Sequence, residues 1–221
     1  MSLNRRKFLQ FGMGSAGALI LGSPISKAIA GACGLTPPQT SGPFFPGESK
    51  FTLENDLTKV VGASQAALGQ VILITGRVVD QNCNPVPNAN VEIWQACASG
   101  RYNHPNDPNP APMDPNFKYW GENVTNANGE YSFKTIIPGP YQADTDWMRP
   151  PHIHYKISAL GYKELITQLY FKSEAALNNK DLILLNVPAA ERDSVIVDFQ
   201  SMPGSDVLTG KFDITLVKLR R

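Results

Sequence analysis

Val71-Ile72-Leu73-Ile74-Thr75 and Arg77-Val78-Val79-Asp80 decide the fold class: two β-rich runs parted by Gly76 and closed by the Asn82, Asn84 and Pro85 turn residues. Short β-branched runs bounded in this way read as strands. Outward from them, Ala89–Gln95 alternates with Val91 and Ile93 on one face, and it predicts a strand neighbouring the first two. Glu130–Ile136, Ile153–Ala159, Leu165–Phe171, Ser194–Phe199 and Lys211–Leu219 carry the same signal, each closed by Gly, Pro, Asn or Asp. About eight short strands in a chain with 18 Gly and 18 Pro predict an all-β protein, a β-sandwich. At 221 residues with 42% hydrophobic content it is one domain with a packed core rather than a disordered chain.

Two segments interrupt this rhythm. From Ala98 to Asn128 no strand pattern appears, and Pro105, Pro108, Pro110, Pro112 and Pro115 forbid a helix. A loop that long in a small domain is functional or disordered. Tyr102, His104, Phe117, Tyr119 and Trp120 give it aromatic anchors, which predicts an ordered cover over a site. Before the strands lie a Pro- and Gly-rich arm from Gly31 to Glu48 and a polar segment, Leu53–Leu68, that predicts a short helix. The predicted organisation is therefore a leader over 1–30, an arm with a short helix over 31–70, and the sandwich over 71–221.

The leader reads as an address. Arg5-Arg6-Lys7-Phe8-Leu9 precedes a Gly- and Ala-rich apolar stretch, and Ala28-Ile29-Ala30 is an A-x-A cleavage site. This resembles a twin-arginine export signal and predicts a periplasmic protein. Gly12, Gly14, Gly17 and Gly22 break the apolar stretch below the ~20 residues of a membrane span. Lipid anchoring at Cys33 is the alternative reading of the same region. The chain has 20 basic and 19 acidic residues, and loss of Arg5, Arg6, Lys7 and Lys27 with the leader leaves 16 against 19, a net −3. A nucleic-acid partner is excluded on that balance. An exported destination predicts a disulfide between two of Cys33, Cys83 and Cys97, with the pairing left open. A direct Cys83–Cys97 bridge is disfavoured if the flanking strands form a simple hairpin, because the two cysteines then lie at opposite ends of it. None of the three has zinc-site spacing.

Arg149-Pro150-Pro151-His152-Ile153-His154-Tyr155 holds two of the three histidines. Two apart on an extended chain, both imidazoles leave one face with Cβ atoms ~7 Å apart, within reach of one metal ion. No Cys, Asp or Glu stands beside them, and tyrosine is the oxygen donor on offer: Tyr141 after the Pro138-Gly139-Pro140 turn and Tyr102 after Gly100-Arg101. A phenol with its ordinary pKa near ~10 binds at neutral pH only to a strong Lewis acid. Two phenolates with two imidazoles favour Fe(III) over zinc, copper or Fe(II).

These segments resemble a known family. Gly76-Arg77-Val78-Val79-Asp80, Pro85-Val86-Pro87-Asn88-Ala89, Val91-Glu92-Ile93-Trp94-Gln95-Ala96, Gly100-Arg101-Tyr102, Asp114-Pro115-Asn116-Phe117, Thr135-Ile136-Ile137-Pro138-Gly139-Pro140-Tyr141, Arg149 to His154 and Gln168-Leu169-Tyr170-Phe171 are similar, in order, to the intradiol ring-cleavage dioxygenases. They are most like the iron-bearing subunit of the protocatechuate-cleaving members. The resemblance implies that Tyr102, Tyr141, His152 and His154 bind Fe(III), with Tyr141 the axial ligand that leaves when a catechol binds. It implies that Arg149 and Gln168 lie beside the bound ring and that Trp94 forms a wall. Thr36-Pro37-Pro38-Gln39-Thr40-Ser41-Gly42-Pro43-Phe44 resembles the start of the iron-free subunit, where the residues matching Thr40, Gly42 and Pro43 line the pocket. One chain then supplies both halves of the site, alone or with the arm of a neighbouring copy in a homo-oligomer. The implied reaction takes a small aromatic diol, protocatechuate-like, and O2 to a cis,cis-muconate derivative. A tryptophan expected two positions after the axial tyrosine is replaced by Ala143, on the pocket wall. A metal-free transthyretin-like binding module is the rival from another class, and a zinc or copper site on the histidines alone is a second.

Overall fold

The computed structural model describes residues 33–46 and 53–220, so the leader over 1–30 lies outside it. In chain order the strands are β1 Val71–Asp80, β2 Asn90–Trp94, β3 Trp120–Val124, β4 Glu130–Ile136, β5 Tyr141–Asp144, β6 Trp147–Arg149, β7 His152–Ser158, β8 Leu165–Phe171, β9 Ile196–Val197, β10 Gln200–Ser201, β11 Leu208–Lys211 and β12 Ile214–Leu216. One-turn helices α1 Ala175–Asn178 and α2 Leu182–Leu185 follow β8. One sheet orders β10-β11-β1-β12 with β4 on the other side of β1; the second orders β3-β2-β7-β8-β9; β5 and β6 form a separate ribbon. The protein is mostly β, as the sequence predicts. No helix among the described residues is long and apolar enough to cross a membrane.

The two runs that open the chain's β pattern form one ten-residue strand. Gly76 permits the join, because a Cβ there would stand 1.9 Å from the Phe212 carbonyl oxygen. At this close approach β1 exchanges its parallel partner β11 for β12. Ile72, Ile74 and Val78 are fully buried on its inner face. β2 is not β1's neighbour, as predicted, but lies in the other sheet beside β3 and β7. The turn after β1 folds back through Val86 N–H to the Val78 carbonyl (2.9 Å), and the chain then crosses between layers.

Ile153, Tyr155 and Ile157 of β7 point into the sandwich core with Val91, Ile93, Phe133 and Ile214. The alternate residues of the same strand face outward, where Trp94, Ala96, Tyr102 and Tyr141 form a second apolar cluster beneath Phe44 and Phe45. Two-residue periodicity thus puts a core on one side of the sheet and the histidines on the other.

Two further predictions are corrected. Leu53–Leu68 holds no helix: Glu54 bridges Glu122 and Asp56 bridges Lys134. The Asp56 carboxylate takes hydrogen bonds from the Thr58 amide (2.9 Å) and hydroxyl (2.5 Å), a local bonding pattern that competes with helical turns. The loop from Ala98 ends early, at β3, whose Glu122 and Asn123 hide the strand signal. Tyr141, just past its predicted turn, opens β5 and pairs with Arg149 of β6. Of the cysteines, Cys33 and Cys83 are bridged, Cα atoms 5.3 Å apart, and Cys97 is free and buried.

Candidate active site

Register aligns the site across the second sheet. His154 on β7 stands opposite Trp94 on β2 and Gln168 on β8, and His152 opposite Tyr170. The Trp94 and His154 rings stack at 4.8 Å and 6°. The His152 and His154 ring centroids lie 4.9 Å apart. Tyr102 arrives from the loop after β2, its amide held by the Asp107 carboxylate at 2.6 Å, and its hydroxyl lies 3.3 Å from His152 Nε2. Tyr141 meets Tyr102 edge to face at 5.6 Å and His152 at 5.7 Å. All four predicted donors therefore converge, though fifty-two residues separate the first from the last.

The electrostatics suit a multivalent cation. Burial pushes both phenols up from their usual range, with Tyr141 adding to the effect on Tyr102, so neither ionises unaided. Burial and the Arg149 charge push both imidazoles down, which keeps them neutral and able to donate a lone pair. His152 Nδ1 donates to the Pro150 carbonyl at 2.7 Å, leaving Nε2 aimed at Tyr102. Buried His154 Nδ1 has no hydrogen-bond partner. Among the described residues no group of three or more His, Cys, Asp or Glu gathers elsewhere as a metal site. A hard cation would be held by Tyr102, Tyr141, His152 and His154 and would stabilise both phenolates.

Arg149 is 2% exposed and ion-paired to fully buried Asp181 at 2.8 Å. Its other contacts are Gln168 Oε1 (2.8 Å), the Tyr170 hydroxyl (3.1 Å) and His152 Nε2 (3.2 Å). Burial opposes its charge, but Tyr170, Asp181 and Tyr141 outweigh that and raise its pKa. Asp181 and Tyr170 were not singled out in the sequence. Tyr170 could have been, since it shares a strand face with Gln168; Asp181 had only the signature of a helix cap before Leu182-Ile183-Leu184-Leu185, which it fulfils by accepting from the Ile183 amide at 3.1 Å.

The arm lies along β8. Gln39 N–H donates to the Ile166 carbonyl (2.8 Å), its amide group to the Gln168 carbonyl (3.1 Å), and Gln168 Nε2 donates to the Thr40 carbonyl (2.9 Å). Gly42 and Pro43 line a cavity of about 180 Å3 that reaches Tyr141, Ala143 and Arg149. Thr40 does not line it; its hydroxyl accepts from the Gly42 amide at 3.1 Å and shapes the turn. Trp94 borders a smaller hollow of about 120 Å3 on the other side of Phe44, so its part here is to support His154. A larger hollow, about 520 Å3, lies against Gly76 and Arg77 and holds none of these donors.

A sandwich carrying such a donor set defines a class, the ring-cleaving dioxygenases. The chain belongs to that family: the Dioxygenase_C family, described as Dioxygenase, matches residues 41–217. It is 39% identical over 179 residues to the protocatechuate 3,4-dioxygenase beta chain of Burkholderia cepacia, covering 79% of this chain and 76% of that one. It is 30% identical to the alpha chain from the same organism, over 82% of this chain and 91% of that one. The intradiol ring-cleavage dioxygenase of Tetranychus urticae superposes with a TM-score of 0.66 at 27% identity, covering 86% of this chain and 97% of that one. Its relatives and structural neighbours make this chain an intradiol ring-cleavage dioxygenase.

Proposed function

We propose that the protein is an Fe(III) enzyme that opens a catechol between its two hydroxylated carbons, placing both atoms of O2 in a cis,cis-muconate product. The observation that carries this reading is the convergence of Tyr102, Tyr141, His152 and His154 beside a cavity. When bound, ferric iron supplies Lewis acidity that draws electron density from a chelated catecholate and opens the ring to O2.

The chain's own residues do the rest. Tyr141 is 9% exposed and borders the cavity, whereas Tyr102 is 3% exposed and does not. Tyr141 Oη, which as phenolate would be one of the metal's donors, is therefore the oxygen placed to receive a catechol proton. Arg149 fixes a positive charge at the cavity edge and stabilises negative charge that develops on the ring as it ketonises. Gln168 and Tyr170 hold the guanidinium in place, and Pro43 with Phe44 narrows access for water.

Purified protein should be red-brown from phenolate-to-iron charge transfer, contain iron by elemental analysis, and consume O2 with catechols. His152→Ala or His154→Ala should abolish iron retention, whereas Arg149→Ala should keep iron and lose turnover. A colourless, iron-free native protein would return the reading to a binding module. A metal content indifferent to Tyr102→Phe and Tyr141→Phe would favour zinc or copper on the histidines. Export by the twin-arginine route to the periplasm belongs to the same proposal, supported by the Cys33–Cys83 bridge, since disulfides persist in oxidising compartments. Similarity to both chains of one enzyme supports association of copies of this chain.

A further inference from the structure

We infer that the cavity selects catechols without an anionic substituent, the ring carrying hydrogen or an apolar group where protocatechuate carries a carboxylate. This rests on the ring-cleaving function proposed above and narrows it. Among the cavity's lining residues, the charged ones are Asp107 and Arg149. Arg149 is already paired with Asp181 at 2.8 Å, and Gln168 and the Tyr170 hydroxyl accept from the same guanidinium nitrogen, so its one charge is shared before any ring substituent arrives. Among the described residues no lysine, second arginine or histidine lines the space.

What remains at the mouth is negative or apolar. Asp107 accepts from the Tyr102 amide (2.6 Å) and the Asn109 amide (2.9 Å), which fixes its carboxylate at the rim. The β5–β6 ribbon, whose Gln142, Ala143 and Trp147 also line the cavity, carries exposed Asp144 and Asp146. Gln142, the remaining polar side chain there, donates its amide to the Asp144 and Thr145 carbonyls and is not free to meet an anion. Pro43, Phe44, Pro108, Trp147 and Ile183 complete the wall. A carboxylate entering this space would lose hydration, meet like charge at the rim and find no unpaired cation among the described residues. Gly42 and Ala143 are the small residues of the wall and would leave room for a methyl-sized substituent.

The experiment compares kcat/KM for catechol, 4-methylcatechol and protocatechuate, using iron-loaded full-length protein at low ionic strength, with the variant Ala143→Arg alongside. Ala143 is exposed on the ribbon, so an arginine there adds a cation to the rim without entering the core. The expected result is a preference for the two uncharged catechols of at least about tenfold. Ala143→Arg should raise the protocatechuate-to-catechol ratio by a similar factor, and added salt should erode that gain. Protocatechuate turned over as well as catechol, or a ratio unmoved by the arginine, overturns the selectivity while leaving ring cleavage intact. Iron-loaded protein that cleaves none of the three overturns the function itself, and the selectivity with it.

Discussion

His154 shows how little freedom a single residue of this site has. Trp94 stacks on one side of it, and on the arm side Gly42 approaches so closely that a Cβ there would lie 3.3 Å from its Cε1. Gly42 also has φ +68°, a left-handed conformation that costs an L side chain about 1 kcal/mol. Gly42→Ala is therefore expected to lose about that much stability in urea titration and to lower iron per chain in elemental analysis, because relief of the contact displaces His154. The Arg149–Asp181 pair makes the opposite kind of demand. Both groups lie out of water, and Asp181→Ala would leave the guanidinium buried and uncompensated, at a cost of about 3–5 kcal/mol in denaturant unfolding. Asp181→Asn keeps the shape and the α2 cap but not the charge. It should retain iron and lose turnover, which separates positioning of Arg149 from general collapse.

Elements carry their own acid sensitivity, and the end of β1 is the clearest case. Burial pushes the Asp80 carboxyl up, but hydrogen bonds from the Asn84 amide and side chain and the Asn82 amide outweigh it and hold its pKa below the ordinary value. A carboxylate with a depressed folded pKa adds stability above its unfolded value of about 3.9 and loses it as pH falls through the folded one. Asp80→Asn should therefore unfold more readily than the parent at pH 6 and show a smaller loss of stability between pH 5 and pH 3. The strands whose patterns survive burial, β4, β7 and β8, were legible in the sequence because branched and aromatic side chains alternate or run continuously there. β3 was not, since its polar Glu122 and Asn123 find partners across the sheet and in Ser132. The four metal donors could be read from residue chemistry and a family likeness. Asp181 could not, because its partner lies thirty-two residues away and only tertiary folding joins them.

At the scale of the whole molecule, the arm that roofs the site is fixed by two separate anchors. The Cys33–Cys83 disulfide ties its start to the turn after β1, closing a sequence separation of 50 residues. Downstream, Thr36 exchanges hydrogen bonds with Thr215, the Pro37 carbonyl accepts from Thr167, and Gln39 and Thr40 bond along β8. The disulfide acts mainly by limiting the unfolded chain, which for a loop of this length is worth about 4 kcal/mol. The hydrogen bonds act in the folded state and alone set the position of Gly42 and Pro43. Removing the bridge should therefore lower stability without moving the roof. In calorimetry, Cys33→Ser with Cys83→Ser is expected to melt about 8–16 °C below the parent. Its KM for a given catechol at 25 °C should stay within about twofold, a difference well under 1 kcal/mol. A large rise in KM would mean that the bridge, rather than the bonds to β8, holds the arm over the site.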